Sequence, residues 1–486
     1  MKVRTCIVFA IIFIALSAFA QHEGMQMPPA QPPAAQAPAQ SPAQATPPPP
    51  QPPAQHEHAP EQKPQEKKPQ ENKGDSTPGM PGMQMGDKHD EHSAGESLGS
   101  GTMPQPASSP EHMWMTKAGE WQIMAHGNLF LTYNQQGGPR GVGKFESMNW
   151  LMLMQQHKLG RGTIVFRQML SAESLTAPHG GFPQLFQTGE TYHGLPIVDK
   201  QHPHDVFGEL SVTYTVPLDQ RVSWQFYGAP VGEPALGPVA FMHRASAAEL
   251  PAAPLGHHLQ DSTHISAGVV TSGLIFTLAK QAKLKVEGSV FNGREPDEKR
   301  YTIDFAPLES WAVRASLQPT PNWSMQYSYG HLTQPEALEV TDIDRQTASV
   351  TYNRPLAAGN WATTLLWGRN HKLAPVVQNQ DTVQNSYLLE STVNFQRKTY
   401  AYTRLELVDK DELFPLGPPP HENFRIGAYT FGGVRDLVQN AKLQLGLGAD
   451  VTFYSKPAAL DPFYGDQPVS FRVFLRLRPA LMKMGH

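Results

Sequence analysis

The chain has 486 residues, a formal net charge of −4, 39% hydrophobic residues and a single cysteine, Cys6. So weak a charge gives no argument for a nucleic-acid partner, and the absence of thiols beyond Cys6 excludes a disulfide-framed domain. No run of about 18 apolar residues follows the first 20, which excludes a membrane-spanning helix in the rest of the chain.

Residues 1–20 read as a secretory signal peptide. Lys2 and Arg4 supply the charged start, Ile7 to Leu16 the apolar segment, and Ala18-Phe19-Ala20 a small-x-small cleavage site. Residues 21–118 form an arm rich in Pro, Gln, Met and His, with Pro47 to Pro50 in a row. Without aliphatic periodicity such a composition cannot bury enough surface to fold, so the arm is expected to be disordered, partly in polyproline II. It carries soft metal ligands in groups: His22, Met25 and Met27; His56 and His58; Met80, Met83, Met85, His89 and His92; Met103, His112, Met113 and Met115. Thioethers suit Cu(I), while imidazoles suit Cu(II), Zn(II) and Ni(II).

From residue 119 to 486 the pattern changes. Residues 201–230 set it. Leu210, Val212, Tyr214 and Val216 alternate with Glu209, Ser211, Thr213 and Thr215, a period of two with one apolar and one polar face. Pro217-Leu218-Asp219-Gln220 turns the chain, and Val222, Trp224 and Phe226 continue the apolar face on the return. Sixteen such segments are expected, near 121–133, 145–157, 161–173, 205–216, 221–228, 264–278, 282–292, 310–319, 322–332, 346–354, 360–370, 384–396, 399–409, 424–433, 441–453 and 469–478. Their connections alternate short and long without exception. That combination predicts an all-β fold: a transmembrane antiparallel β-barrel of about 16 strands, with both termini at the short-turn, periplasmic end. A charge facing lipid at mid-membrane costs roughly 2–4 kcal/mol. Lys283, Lys285, Glu287, Arg314, Arg472 and Arg476 should therefore face a polar lumen. The last segment ends at Arg478-Pro479 and a seven-residue tail, rather than on the aromatic residue common in such barrels.

Two long connections, about 175–204 and 229–263, carry the histidines. Eight of the twenty lie between His179 and His264. The candidate metal ligands are His202, His204, Asp205, His243, His257, His258, Asp261 and His264. On an extended segment residues 202 and 204 share a face, and a carboxylate can orient an imidazole from behind. The same residues could instead be loop anchors, with Asp205 and Asp261 as acceptors pinning inward-folded loops to the wall. Catalysis has little support. The chain lacks a Gly-x-Ser-x-Gly elbow, a phosphate loop and a dinucleotide fingerprint, and Asp261 or Ser262 with His264 is the only pairing to name. An enzyme is not expected.

A cleaved signal, a Met/His-rich arm with Met25-Gln26-Met27 and Met83-Gln84-Met85, and a barrel to the C-terminus resemble the outer-membrane copper-resistance protein B group in overall organisation. The chain also resembles other outer-membrane barrels with a His-Pro-His-Asp loop. The first resemblance implies copper or other soft-metal handling at the bacterial outer membrane, with the arm in the periplasm. Copper or zinc would be bound there, no cofactor being required. The alternative is a porin-like diffusion channel for small polar solutes, with the histidine loops as a structural constriction. Expected partners are outer-membrane lipid and small solutes or metal ions, with a monomer or a homotrimer as the assembly.

Overall fold

The computed structural model describes residues 99–177, 180–260, 266–339, 341–373, 381–415 and 422–482. Twenty strands follow in chain order: β1 (Met113–Ala118), β2 (Trp121–Gln135), β3 (Gly143–Glu146), β4 (Asn149–Leu159), β5 (Gly162–Leu170), β6 (Phe182–Tyr192), β7 (Leu195–Gln201), β8 (Phe207–Pro217), β9 (Val222–Gly232), β10 (Ser266–Thr277), β11 (Lys283–Phe291), β12 (Ser310–Gln318), β13 (Trp323–Leu332), β14 (Asp342–Leu356), β15 (Gly359–Leu373), β16 (Thr382–Phe395), β17 (Thr399–Lys410), β18 (Phe424–Gln439), β19 (Leu443–Ser455) and β20 (Val469–Pro479). One antiparallel sheet contains eighteen of them. Within it β1 and β3 only extend the edge of β2, which leaves sixteen wall strands. Each of the sixteen covers a segment expected from alternation.

The sheet closes on itself. Residues 129–135 of β2 pair with 477–471 of β20. Beyond Leu129 the last strand gives out, and β1 takes over the same edge, Met113 opposite His126 and Ala118 opposite Trp121. The seam is therefore completed by a small hairpin, and Met482 N–H donates to Glu111 O to hold the tail beside it. Closure satisfies the backbone groups an open edge would strand in lipid.

The two faces separate as the period predicts. Outward side chains such as Val286, Val290, Trp311, Val313, Leu365, Phe471 and Val473 are 43–51% exposed in the isolated chain. This apolar belt is the surface of a transmembrane barrel. Inward neighbours on the same strands (Lys285, Glu287, Arg314, Arg472 and Arg476) are buried.

Burial of the inward charges follows from what fills the lumen. The long connection after β9 folds inside. Its Gly237 N–H donates to Ser328 Oγ at 2.9 Å, Arg244 Nε to Glu390 Oε1 at 2.6 Å, and its Glu249 accepts from Arg478 Nη1 at 2.9 Å and from Arg476. One loop thus reaches β13, β16 and β20 across the interior. The β6–β7 hairpin fills the long-loop end, where Leu185 and Phe186 pack with Leu255, Val408, Ile426 and Tyr464. A third insert is residues 99–112, assigned to the arm by composition. Thr102 O accepts from Lys285 Nζ at 2.6 Å, Pro104 O from Ser324 Oγ at 2.6 Å, and Gln105 O from Gln318 Nε2 at 2.7 Å. Backbone carbonyls carry much of the docking, beside the Thr102 hydroxyl and the buried Met103 side chain, so no apolar periodicity marks this stretch.

His112 ends the insert. Burial, then Arg478 and Arg476, hold its pKa well below the usual 6.5. The docked form stays neutral while a released segment takes a proton, so docking weakens as pH falls through about 6.5. Proteolysis within residues 99–112 should accelerate between pH 7.5 and 5.5. In His112→Gln that acceleration should shrink, and an unchanged pH response there would show that His112 is not the sensor.

Candidate functional site

The long-loop end collects the histidines. His202 follows β7, and His257 and His258 begin a one-turn helix over His257–Gln260. That turn rests directly on β15 because residue 368 is glycine: a Cβ there would lie 2.2 Å from Leu259 O. On the other side Gly189, at φ +118°, leaves room for His258, whose ring would meet a Cβ at 2.6 Å. The three imidazoles converge. Ring centroids are 5.5 Å apart for His202–His257, 5.2 Å for His202–His258 and 4.2 Å for His257–His258. One ring nitrogen from each lies within 4.8 Å of the others.

Carboxylates stand behind the rings. His202 Nδ1 is 3.0 Å from Glu190 Oε1, and His258 Nδ1 is 3.1 Å from Glu295 Oε1. Glu190 also takes Arg300, which reaches Asp205 Oδ1 at 3.3 Å through its other arm. The hairpin bearing Glu190 is strained. Phe186, Glu190, His193 and Asp199 all have φ between 55° and 65°, sparsely populated for residues other than glycine. Asp199 Oδ1 accepts Phe186 N–H at 2.7 Å and so holds part of that geometry. A cavity of about 30 Å³, the size of one water or ion, opens between His202, His258, Glu190, Glu295, Glu336 and Arg300.

The electrostatics follow from burial. It pushes Glu190 up, against Arg300. It pushes Glu295 well above its usual range, helped by Glu190 and Glu412, and Glu336 likewise, helped by Glu295 and Glu412. Burial lowers His258, against the pull of Glu336 and Glu190. The carboxyl groups of Glu190, Asp205, Glu295 and Glu336 share the cavity with the guanidinium groups of Arg294, Arg300 and Arg345. Asp205 is pushed by burial to about 6, against Arg300.

The other candidates are placed elsewhere. His204 turns to Glu173, with Nδ1 2.7 Å from Oε2. Burial opposes its charge, but Glu173, with Glu190 and Asp205, outweighs it and raises the pKa. Asp205 serves Arg300. His243 is not near the triad. It lies in a three-residue turn over Phe241–His243, its ring 4.4 Å from Trp150 and 5.8 Å from His126. Asp261, Ser262 and His264 lie outside the described residues, as does His179. His243 belongs to a second cavity, of about 360 Å³ near the short-turn end, lined by Met113, Met124, Met154 and Met242 together with His112 and His126. Sequence reasoning missed Glu173, Glu190, Glu295, Glu336 and Arg300. Gly189 beside Glu190 is the one local hint, since a glycine can mark a close approach.

Fold and site together define a class: a sixteen-stranded antiparallel transmembrane barrel whose own loops and N-terminal segment occupy the lumen. No family model matches the chain, and no curated protein matches it, so the copper-resistance resemblance gains no support there. Solved structures that it resembles include an anion-selective porin from Comamonas acidovorans (9% identity, 74% of this chain and 100% of that one, TM-score 0.46). Others are Salmonella typhi OmpF in complex with daunomycin (8%, 75% and 100%, TM-score 0.44) and Pseudomonas aeruginosa OccK3 (10%, 72% and 94%, TM-score 0.34).

Proposed function

We propose that this chain is an outer-membrane channel of porin-like type, passing small polar solutes through a lumen that its own loops constrict. The carrying observation is how the inserts are held. Arg244, Glu249, Thr102 and Gly237 bind the wall through ion pairs and hydrogen bonds, on a charged surface suited to water once they move. In this reading the long loops face outward, and the termini and the arm face the periplasm. Planar-bilayer recording tests it. The full chain should give small, intermittent current steps, and a variant lacking residues 235–252 should give larger, steady ones. Silence from both would overturn the proposal.

A second reading, copper handling, has one observation in its favour: the 360 Å³ cavity combines thioethers and imidazoles at the short-turn end. Sulfur and imidazole donors together suit Cu(I).

A further inference from the structure

We propose that His202, His257 and His258 form a binding site for one divalent transition-metal ion of the zinc class, oriented by Glu190 and Glu295. Whether the lumen conducts does not bear on this site, because the residues belong to the loops and not to the wall.

Four observations meet here. The first is convergence. Three imidazoles from two loops about 55 residues apart in sequence place a nitrogen each within 4.8 Å of the others. Tetrahedral coordination at about 2.0–2.1 Å puts nitrogens roughly 3.4 Å apart, so the rings need to close by about an ångström.

The second is orientation. Glu190 and Glu295 each hold an Nδ1, which is the way carboxylates behind ligating histidines fix the tautomer and leave Nε2 for the metal. His258 Nε2 is buried and has no hydrogen-bond partner among the described residues.

The third is space and charge. The cavity of about 30 Å³ is shared by His202, His258 and the carboxylates of Glu190, Glu295 and Glu336. Four carboxylates face three guanidinium groups around it, those of Arg294, Arg300 and Arg345, and a divalent ion would offset the remaining excess. Glu336 would supply the fourth ligand, or leave that position to water.

The fourth is donor chemistry. Nitrogen and oxygen donors without sulfur favour Zn(II), Co(II), Ni(II) or Cu(II) over Cu(I). Three imidazoles argue against Ca(II) and Mg(II), which take oxygen ligands. The site therefore differs in kind from the thioether-lined cavity at the other end.

The test uses the full chain in detergent, titrated with Zn(II), and with Co(II) for its visible spectrum. One tight equivalent with a tetrahedral Co(II) signature is expected. His257→Gln and His258→Gln should each weaken that equivalent about 100-fold or more, and Glu295→Gln about 10- to 100-fold. His56→Gln with His58→Gln, in the arm, should leave it unchanged. Folding of each variant is checked by the heat-dependent gel mobility of closed barrels. Anomalous diffraction at the zinc edge from unmodified protein needs no variant and should place the ion among the three rings. Retention of the equivalent in both histidine variants, or an anomalous map without a peak at the triad, would overturn the proposal.

Discussion

Replacing Glu390 with leucine is expected to free the inserted loop from the wall and open the lumen. Glu390 Oε1 accepts from Arg244 Nε at 2.6 Å and from Ser246 Oγ at 3.0 Å, while Oε2 accepts from Arg404 Nε at 3.3 Å. All three charged side chains are fully buried. Removing the carboxylate takes away the acceptor that both guanidinium groups share, which costs about 3–5 kcal/mol in comparable buried sites. The penalty falls on the weaker structure. The wall is a continuous ladder of backbone hydrogen bonds, whereas the loop is held by side chains, so the loop yields first. In detergent, trypsin should cut at Arg244 at least tenfold faster in Glu390→Leu than in the parent, and bilayer current steps should grow. Arg244→Met should do less, because Glu390 keeps Arg404. Equal protection of Arg244 in parent and Glu390→Leu would mean that apolar packing around Phe241 and Leu250, and not the ion pair, holds the loop.

The barrel was legible because its environment imposes a strict rule. Lipid outside and polar groups inside force a period of two on every wall strand, and no strand can escape it by packing against a neighbour. Lys285, Glu287 and Arg314 read as inward from the sequence because the opposite assignment would place charge in hydrocarbon. The same logic fails for the inserts. Residues 99–112 dock largely through carbonyls, as at Thr102, Pro104 and Gln105, with only scattered side-chain contacts such as those of Thr102 Oγ1 and Met103, so no periodic side-chain pattern signals docking. Strand β1 is only six residues long, and its Met-Trp-Met-Thr-Lys-Ala sequence sits within a stretch that composition marks as arm. The β6–β7 hairpin breaks strand rules outright, with four non-glycine residues at positive φ.

The candidate site was half legible for a related reason. Histidines are rare enough that their clustering shows, and His202 meets His257 and His258 in space across a separation of about 55 residues. Which of the eight candidates meet depends on how two loops fold against each other inside the lumen, and the sequence holds no local term for that. His243 turns away because the Phe241–His243 turn directs it to Trp150. Glutamates are common on long loops, so Glu295 and Glu336 had nothing to distinguish them before their burial was known, and Glu190 had only the neighbouring Gly189.

Another sector of the wall offers a sharper test of how the lumen is filled, because one carboxylate there serves two cations. Glu287 Oε1 accepts from Arg314 Nε at 3.0 Å and Nη2 at 2.9 Å, and its Oε2 pairs with Lys285 Nζ at 2.8 Å. Arg314 in turn donates to Gly237 O at 2.8 Å and Thr102 Oγ1 at 2.9 Å, so it ties the wall to both the inserted loop and the N-terminal segment. Glu287→Leu strands two adjacent cations with only neutral acceptors, for about 3–5 kcal/mol. Arg314→Leu removes more contacts yet leaves Glu287 neutralised by Lys285, so its cost is that of the lost hydrogen bonds, about 1–3 kcal/mol. Urea midpoints should therefore fall further for Glu287→Leu than for Arg314→Leu, although Arg314 touches more of the plug. The double variant should recover part of the Glu287→Leu loss, since it removes one of the two unbalanced charges. If Arg314→Leu proved the more damaging, contact number and not charge balance would govern this sector. The inserts would then behave as fixed parts of the barrel, not as a constriction held by counter-charges.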